Sequence, residues 1–153
     1  MKAQVFTIVP GANGPLWLLL GVSALLLAMV GLFAWLAWSS RHTQFEVSGE
    51  GLRISNTMYG RTIPLAALSV DGARVLNLDR DLQYRAKWRS NGAGLPGYQA
   101  GWFKLRNSEK SLLFVTDKSR VVYVPTRKGY SVLLSVNKPE QFVDALRAAA
   151  RTD

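Results

Sequence analysis

The chain has 153 residues, a formal net charge of +9, one histidine and no cysteine. That is room for one domain and an added segment, and it excludes disulfide frameworks, thiolate zinc sites and a cysteine nucleophile. With His42 as the sole imidazole, neither a serine triad nor a histidine-based metal centre has much to draw on.

After a short tail, residues 1–15, the stretch Leu16 to Ser40 reads LWLLLGVSALLLAMVGLFAWLAWSS and holds no charged residue. As a helix it would be about 37 Å long, against about 30 Å of bilayer hydrocarbon. Pro15 suits a first helical turn, where its missing N–H would be unpaired anyway. Trp17 at one end and Trp35 and Trp38 at the other fit the two membrane interfaces, which indoles favour. A cleaved signal peptide fits less well: the apolar run is long, only Lys2 charges the segment before it, and no small-x-small cleavage site follows. A soluble helix apolar on all sides would need a large protein around it.

Gly21, Ala24, Ala28 and Gly31 fall near one helix face, which permits close helix packing but is also ordinary for membrane helices. Lys2 precedes the span, and Arg41 and Arg53 follow it. The remainder carries the basic excess, and the short N-terminus has no acidic residue. This favours a single-pass membrane protein with its domain in the cytoplasm.

From residue 41 to 153 the pattern is that of a second, soluble domain. Phe45-Glu46-Val47 leads into the turn Ser48-Gly49-Glu50-Gly51, and Leu52-Arg53-Ile54-Ser55 alternates. Tyr59 to Leu65 and Ser69 to Leu78 are further strand candidates. Asp79 to Gly101 is polar and basic with a glycine-rich second half, and reads as a long loop or an irregular hairpin. Strands return at Trp102–Arg106, Leu112–Val115, Arg120–Pro125 and Tyr130–Val136, separated by Asn-, Asp- and Gly-containing turns. Asn137-Lys138-Pro139-Glu140 then opens a helix, with Phe142, Val143, Ala145, Leu146 and Ala149 along one face. The expectation is a mainly β fold: a small antiparallel barrel or sandwich of about seven strands, capped by a C-terminal helix and preceded by one transmembrane helix. Val122, Val124, Leu133, Phe142 and Leu146 are the expected inward residues, though the face of the 121–124 run is ambiguous.

The segment Asn91-Gly92-Ala93-Gly94-Leu95-Pro96-Gly97-Tyr98, followed by Gly101-Trp102-Phe103, is similar to the central glycine-rich motif of bacterial pleckstrin-homology-like domains. Phe114-Val115-Thr116-Asp117 and the stretch from Ser135 to Phe142 are similar too. From about Phe45 to Leu146 the chain therefore resembles this family, whose members stand behind membrane spans in many small bacterial proteins. The resemblance implies a PH-like fold and a binding or scaffold role better than any reaction. Gly92, Gly94, Pro96, Gly97 and Tyr98 form its motif loop.

Arg80, Arg85, Lys87 and Arg89 cluster with Tyr84 and Trp88 interleaved. Guanidinium forks suit phosphate oxygens, and indole or phenol rings suit a membrane surface, so these four cations are the candidate anion or lipid-headgroup site. A solvated basic loop is the plainer alternative. The glycines match G-x-G-x-x-G in spacing, but a proline precedes the last one and a strand follows, so tight backbone geometry explains them better than a nucleotide. Asp79 and Asp81, with Arg80 and Arg85 beside them, read as ion-pair partners. No acid, base and nucleophile set can be assembled, so no enzymatic activity, cofactor or metal is expected.

Three functional classes follow. The first is a membrane-anchored module that contacts an anionic membrane surface or a protein partner, including a second copy. The second is an accessory subunit of a membrane complex. The third is a nucleic-acid-binding basic domain, disfavoured because no base-stacking motif is visible.

Overall fold

The computed structural model describes residues 14–152. Lys2 and most of the N-terminal tail, the side chains of residues 39–41, and Asp153 lie outside the described residues, and the charge comparison across the span lies there in large part.

Helix α1, Gly14–His42, begins two residues before Leu16 and ends two after Ser40. From Gly14 to Trp38 it is long and apolar enough to cross a membrane, and none of that stretch is buried in the protein. It belongs to one compact unit, and the chain from Ser39 onward forms the other.

The second unit holds nine strands and a closing helix. Strands β1 (Gln44–Ser48), β2 (Gly51–Ser55) and β3 (Arg61–Ile63) make a three-stranded antiparallel sheet. Strands β4 (Arg74–Leu76), β5 (Ala86–Leu95), β6 (Tyr98–Leu105), β7 (Lys110–Val115), β8 (Val121–Pro125) and β9 (Ser131–Leu134) make a six-stranded sheet ordered β4-β8-β9-β7-β6-β5. All its pairings are antiparallel except β7 with β9.

The strand count exceeds seven because the region read as loop or hairpin is in large part a hairpin, β5 and β6 joined at Pro96-Gly97. It was hard to read because β5 is exposed or half-exposed throughout and lacks the alternation that a buried face imposes. Two other candidates shrink. Only Arg61–Ile63 of the Tyr59–Leu65 run is strand, and Ser69–Leu78 divides into a 3-10 turn at Val70–Gly72 and the short β4.

The six-stranded sheet is apolar on both faces. One cluster joins Leu52, Ile54 and Ile63 of the small sheet to Leu112, Phe114, Val122, Val124, Val132 and Leu134. The other holds Leu76, Leu78, Phe103, Leu105, Leu113, Val115, Val121, Tyr123 and Leu133. This resolves the ambiguity of the 121–124 run: all four residues are buried, alternately into the two clusters. Leu133 faces the second cluster, not the one that holds Val122 and Val124, and Phe142 is only half-buried. Helix α2, Pro139–Thr152, packs against β1 of one sheet and β4 and β8 of the other, and inserts Val143 and Leu146 into the first cluster.

Candidate functional site

The β5–β6 hairpin carries Lys87, Arg89 and the motif loop, and its shape follows from two glycines. Gly92 and Gly101 face each other across the strands. A Cβ on Gly101, which has φ +115°, would lie 2.5 Å from the Asn91 carbonyl oxygen and 2.6 Å from the Gly92 Cα. Neither strand could approach the other if this position carried a side chain. Two register breaks, between Ala86 and Trp88 and between Arg89 and Asn91, leave Lys87 and Ser90 bulged. β5 is the outermost strand, where bulges and cations discourage further strand pairing.

The four candidate cations do not act as one group. The Arg85 Nε donates to the Leu78 carbonyl at 2.5 Å and its Nη2 to Asp79 Oδ1 at 2.6 Å, so this guanidinium locks the segment before β5. Asp79 is thus an ion-pair partner, whereas Asp81 Oδ2 accepts from the Asn77 N–H at 3.0 Å. The same segment is held from below. Arg74 lies 4.9 Å over the Tyr123 ring and donates through Nη2 to the Tyr84 hydroxyl at 2.5 Å. The Tyr123 hydroxyl donates to the Glu109 carboxylate at 3.0 and 3.2 Å. Burial, then the Glu109 charge, pushes the Tyr123 pKa up to about 12, so it stays a neutral donor.

Arg80 is exposed in the turn before that segment. Lys87 and Arg89 are exposed on β5, where with Trp88, Gly94, Leu95 and Phe103 they line a concavity of about 410 Å³. Pro96 and Gly97, with φ +75°, form the exposed hairpin turn, and Tyr98 packs against the first core cluster.

Register adds residues that local reading missed. Trp88 pairs with Lys104, and Lys104 pairs with Lys110, which sets an indole and two ammonium groups in one row across β5, β6 and β7. Trp88 is 72% exposed. Behind the row, Trp102 receives the Lys110 Nζ at 4.6 Å and the Arg61 guanidinium at 4.9 Å, and meets Tyr130 edge-on at 5.1 Å. Like charges directly opposite each other on neighbouring strands repel. Neither lysine has an ion-pair partner among the described residues. Alternation along Trp102-Phe103-Lys104 could have placed Trp102 and Lys104 on one face, but nothing local reveals their register with Lys110.

Among the described residues, no three His, Asp or Glu side chains come together as a metal would need. No curated protein and no solved structure matches the chain. The family model described as bacterial PH domain matches residues 43–150, more than half of the chain, taking in all nine strands and α2 but for its last two residues. This chain, with its apolar helix and its two-sheet unit closed by α2, belongs to the bacterial PH domain family.

Proposed function

We propose that the protein is a membrane-anchored binding module, without enzymatic activity, whose β5–β6–β7 face contacts an anionic membrane surface. The observation that carries this reading is the row Trp88, Lys104 and Lys110, with Lys87 in the bulge beside Trp88; Arg89, paired with Phe103, lies on the other face of the same hairpin. Two lysines placed opposite each other are relieved by an anion, and an exposed indole beside them suits the headgroup layer. Arg80 adds charge from the preceding turn, while Arg85 supports the site by holding the loop.

Each cation near such a surface contributes about 1 kcal/mol, and about 1.4 kcal/mol is tenfold in affinity. The fragment 43–153 carries the clustered core described above and is free of the α1 anchor. It should bind vesicles containing phosphatidylglycerol and not pure phosphatidylcholine, with affinity falling as salt rises. Replacing Lys87, Lys104 and Lys110 together with alanine should weaken binding by about two orders of magnitude. Equal binding by both proteins, or by both vesicle types, would move the function to a protein partner, a second copy through α1 included.

The proposed topology has α1 spanning the bilayer and the domain in the cytoplasm, since most of the basic excess follows the span. The protein should then resist carbonate extraction. A Ser119→Cys variant, exposed beyond β7, should react with an impermeant maleimide only after lysis. Labelling in intact cells would reverse the orientation.

A further inference from the structure

At the β4 side of the sheet, opposite to the β5 edge, three segments meet around a second concavity of about 650 Å³. Leu65 and Leu68 give it an apolar lining, Arg127, Arg147 and Arg151 line it as well, and Asp71 is the one acidic residue of that lining. The walls are fixed by the backbone. The Arg127 N–H donates to the Ala67 carbonyl at 2.9 Å, the Ser69 N–H donates to the Pro125 carbonyl at 2.9 Å, and Leu68 bridges to Thr126. Arg147 ties α2 to the same wall, donating through Nη2 to the Ala73 carbonyl at 3.1 Å.

The charges at this concavity are not balanced from within. Elsewhere Arg85 pairs with Asp79, and Arg120 pairs with Glu140. Here, among the described residues, Asp71 forms no ion pair, and the guanidinium groups of Arg127 and Arg151 make no ion pair or side-chain hydrogen bond. The C-terminal dipole of α2 accounts for a cation at Arg151, in its last turn, but not for the approach of Arg127 from the end of β8. Like charges gathered beside apolar surface repel more strongly than in open water, and an anion removes that cost. Guanidinium forks match phosphate oxygens in a way that ammonium groups do not, and all three cations at this site are arginines.

We infer that this concavity binds a phosphate group carrying an organic substituent, supplied by a lipid headgroup or by a soluble phosphoester. The inference does not rest on the hairpin face, and the two fail separately. The test uses the full-length protein in phosphatidylcholine nanodiscs, titrated with glycerol 3-phosphate and followed by calorimetry and by the arginine Nε–H resonances. Saturable binding is expected, weakened about a hundredfold in Arg127→Gln/Arg151→Gln, about tenfold for each fork lost. Lys118→Gln, at an exposed turn residue outside both surfaces, should bind like the wild type. Should the double arginine variant fold poorly, Arg127→Lys keeps the charge and removes the fork, and should still lose about tenfold. In nanodiscs containing phosphatidylglycerol, a reduced apparent affinity marks lipid headgroups as the occupant, and an unchanged one marks a soluble phosphoester. No saturable binding, or binding unaffected by the arginine variants, would overturn the inference.

Discussion

Gly101→Ala is expected to destabilise the domain by about 3 kcal/mol or more, among the largest effects a single methyl group can produce. The added Cβ would meet the Asn91 oxygen at 2.5 Å and the Gly92 Cα at 2.6 Å, both backbone atoms of the paired strand. No rotamer change can relieve a clash with backbone, so β5 and β6 must separate locally, and the φ of +115° is itself costly for alanine. Since 1 kcal/mol shifts the melting midpoint of a domain near this size by about 4–8 °C, a fall of roughly 12–24 °C is expected in fragment 43–153. Gly97→Ala supplies the contrast. At φ +75° it is strained, but nothing lies within 4 Å, so only the conformational cost of about 1–2 kcal/mol remains. Equal losses at the two positions would show that steric approach of the strands is not what the glycine at 101 provides.

Leu146→Ala should cost about 2–5 kcal/mol, the range for emptying a fully buried leucine site. Leu146 is completely buried in the first cluster and lies on the face of α2 that reaches both sheets. The loss should appear as a lower melting midpoint, with the strand signal in circular dichroism kept below the transition. Gln141→Ala, an exposed position on the same helix, is the control and should move the midpoint little. An unchanged midpoint for Leu146→Ala would mean that α2 contributes nothing to holding the two sheets together.

Much of the fold was legible because its signals are local. An uncharged run longer than a bilayer is thick gives α1, and a proline and an acid ahead of a 3.6-period face give α2. Strands near Leu52, Leu112 and Val122 announce themselves by alternation or by solid apolar runs. β5 does not, because it has no buried face to impose a period on its residues. Leu133 is buried as expected, but β9 is buried on both sides, so its composition carries no parity and does not say which of the two clusters Leu133 enters. The candidate site was legible only in part. Composition marks the basic cluster, but a cation's role depends on its partners, and Arg85 is engaged by Leu78 and Asp79 while Lys87 and Arg89 point outward to solvent. Lys104 with Lys110, and Arg127 with Arg147, are brought together by register and by helix docking, which local sequence does not encode.

The parallel pairing of β7 with β9 bears on how the domain is made at the ribosome. β9 is the last strand to be synthesised, yet it sits between β7 and β8 in the middle of the six-stranded sheet. Until residue 134 has emerged, β7 and β8 each lack a neighbour, and the sheet stands as two part-sheets with open inner edges. The final segment then closes the gap, and α2 follows at once to cover the first cluster. A chain cut short before β9 therefore loses the centre of its sheet, not a margin, and presents the unpaired strand edges that drive aggregation.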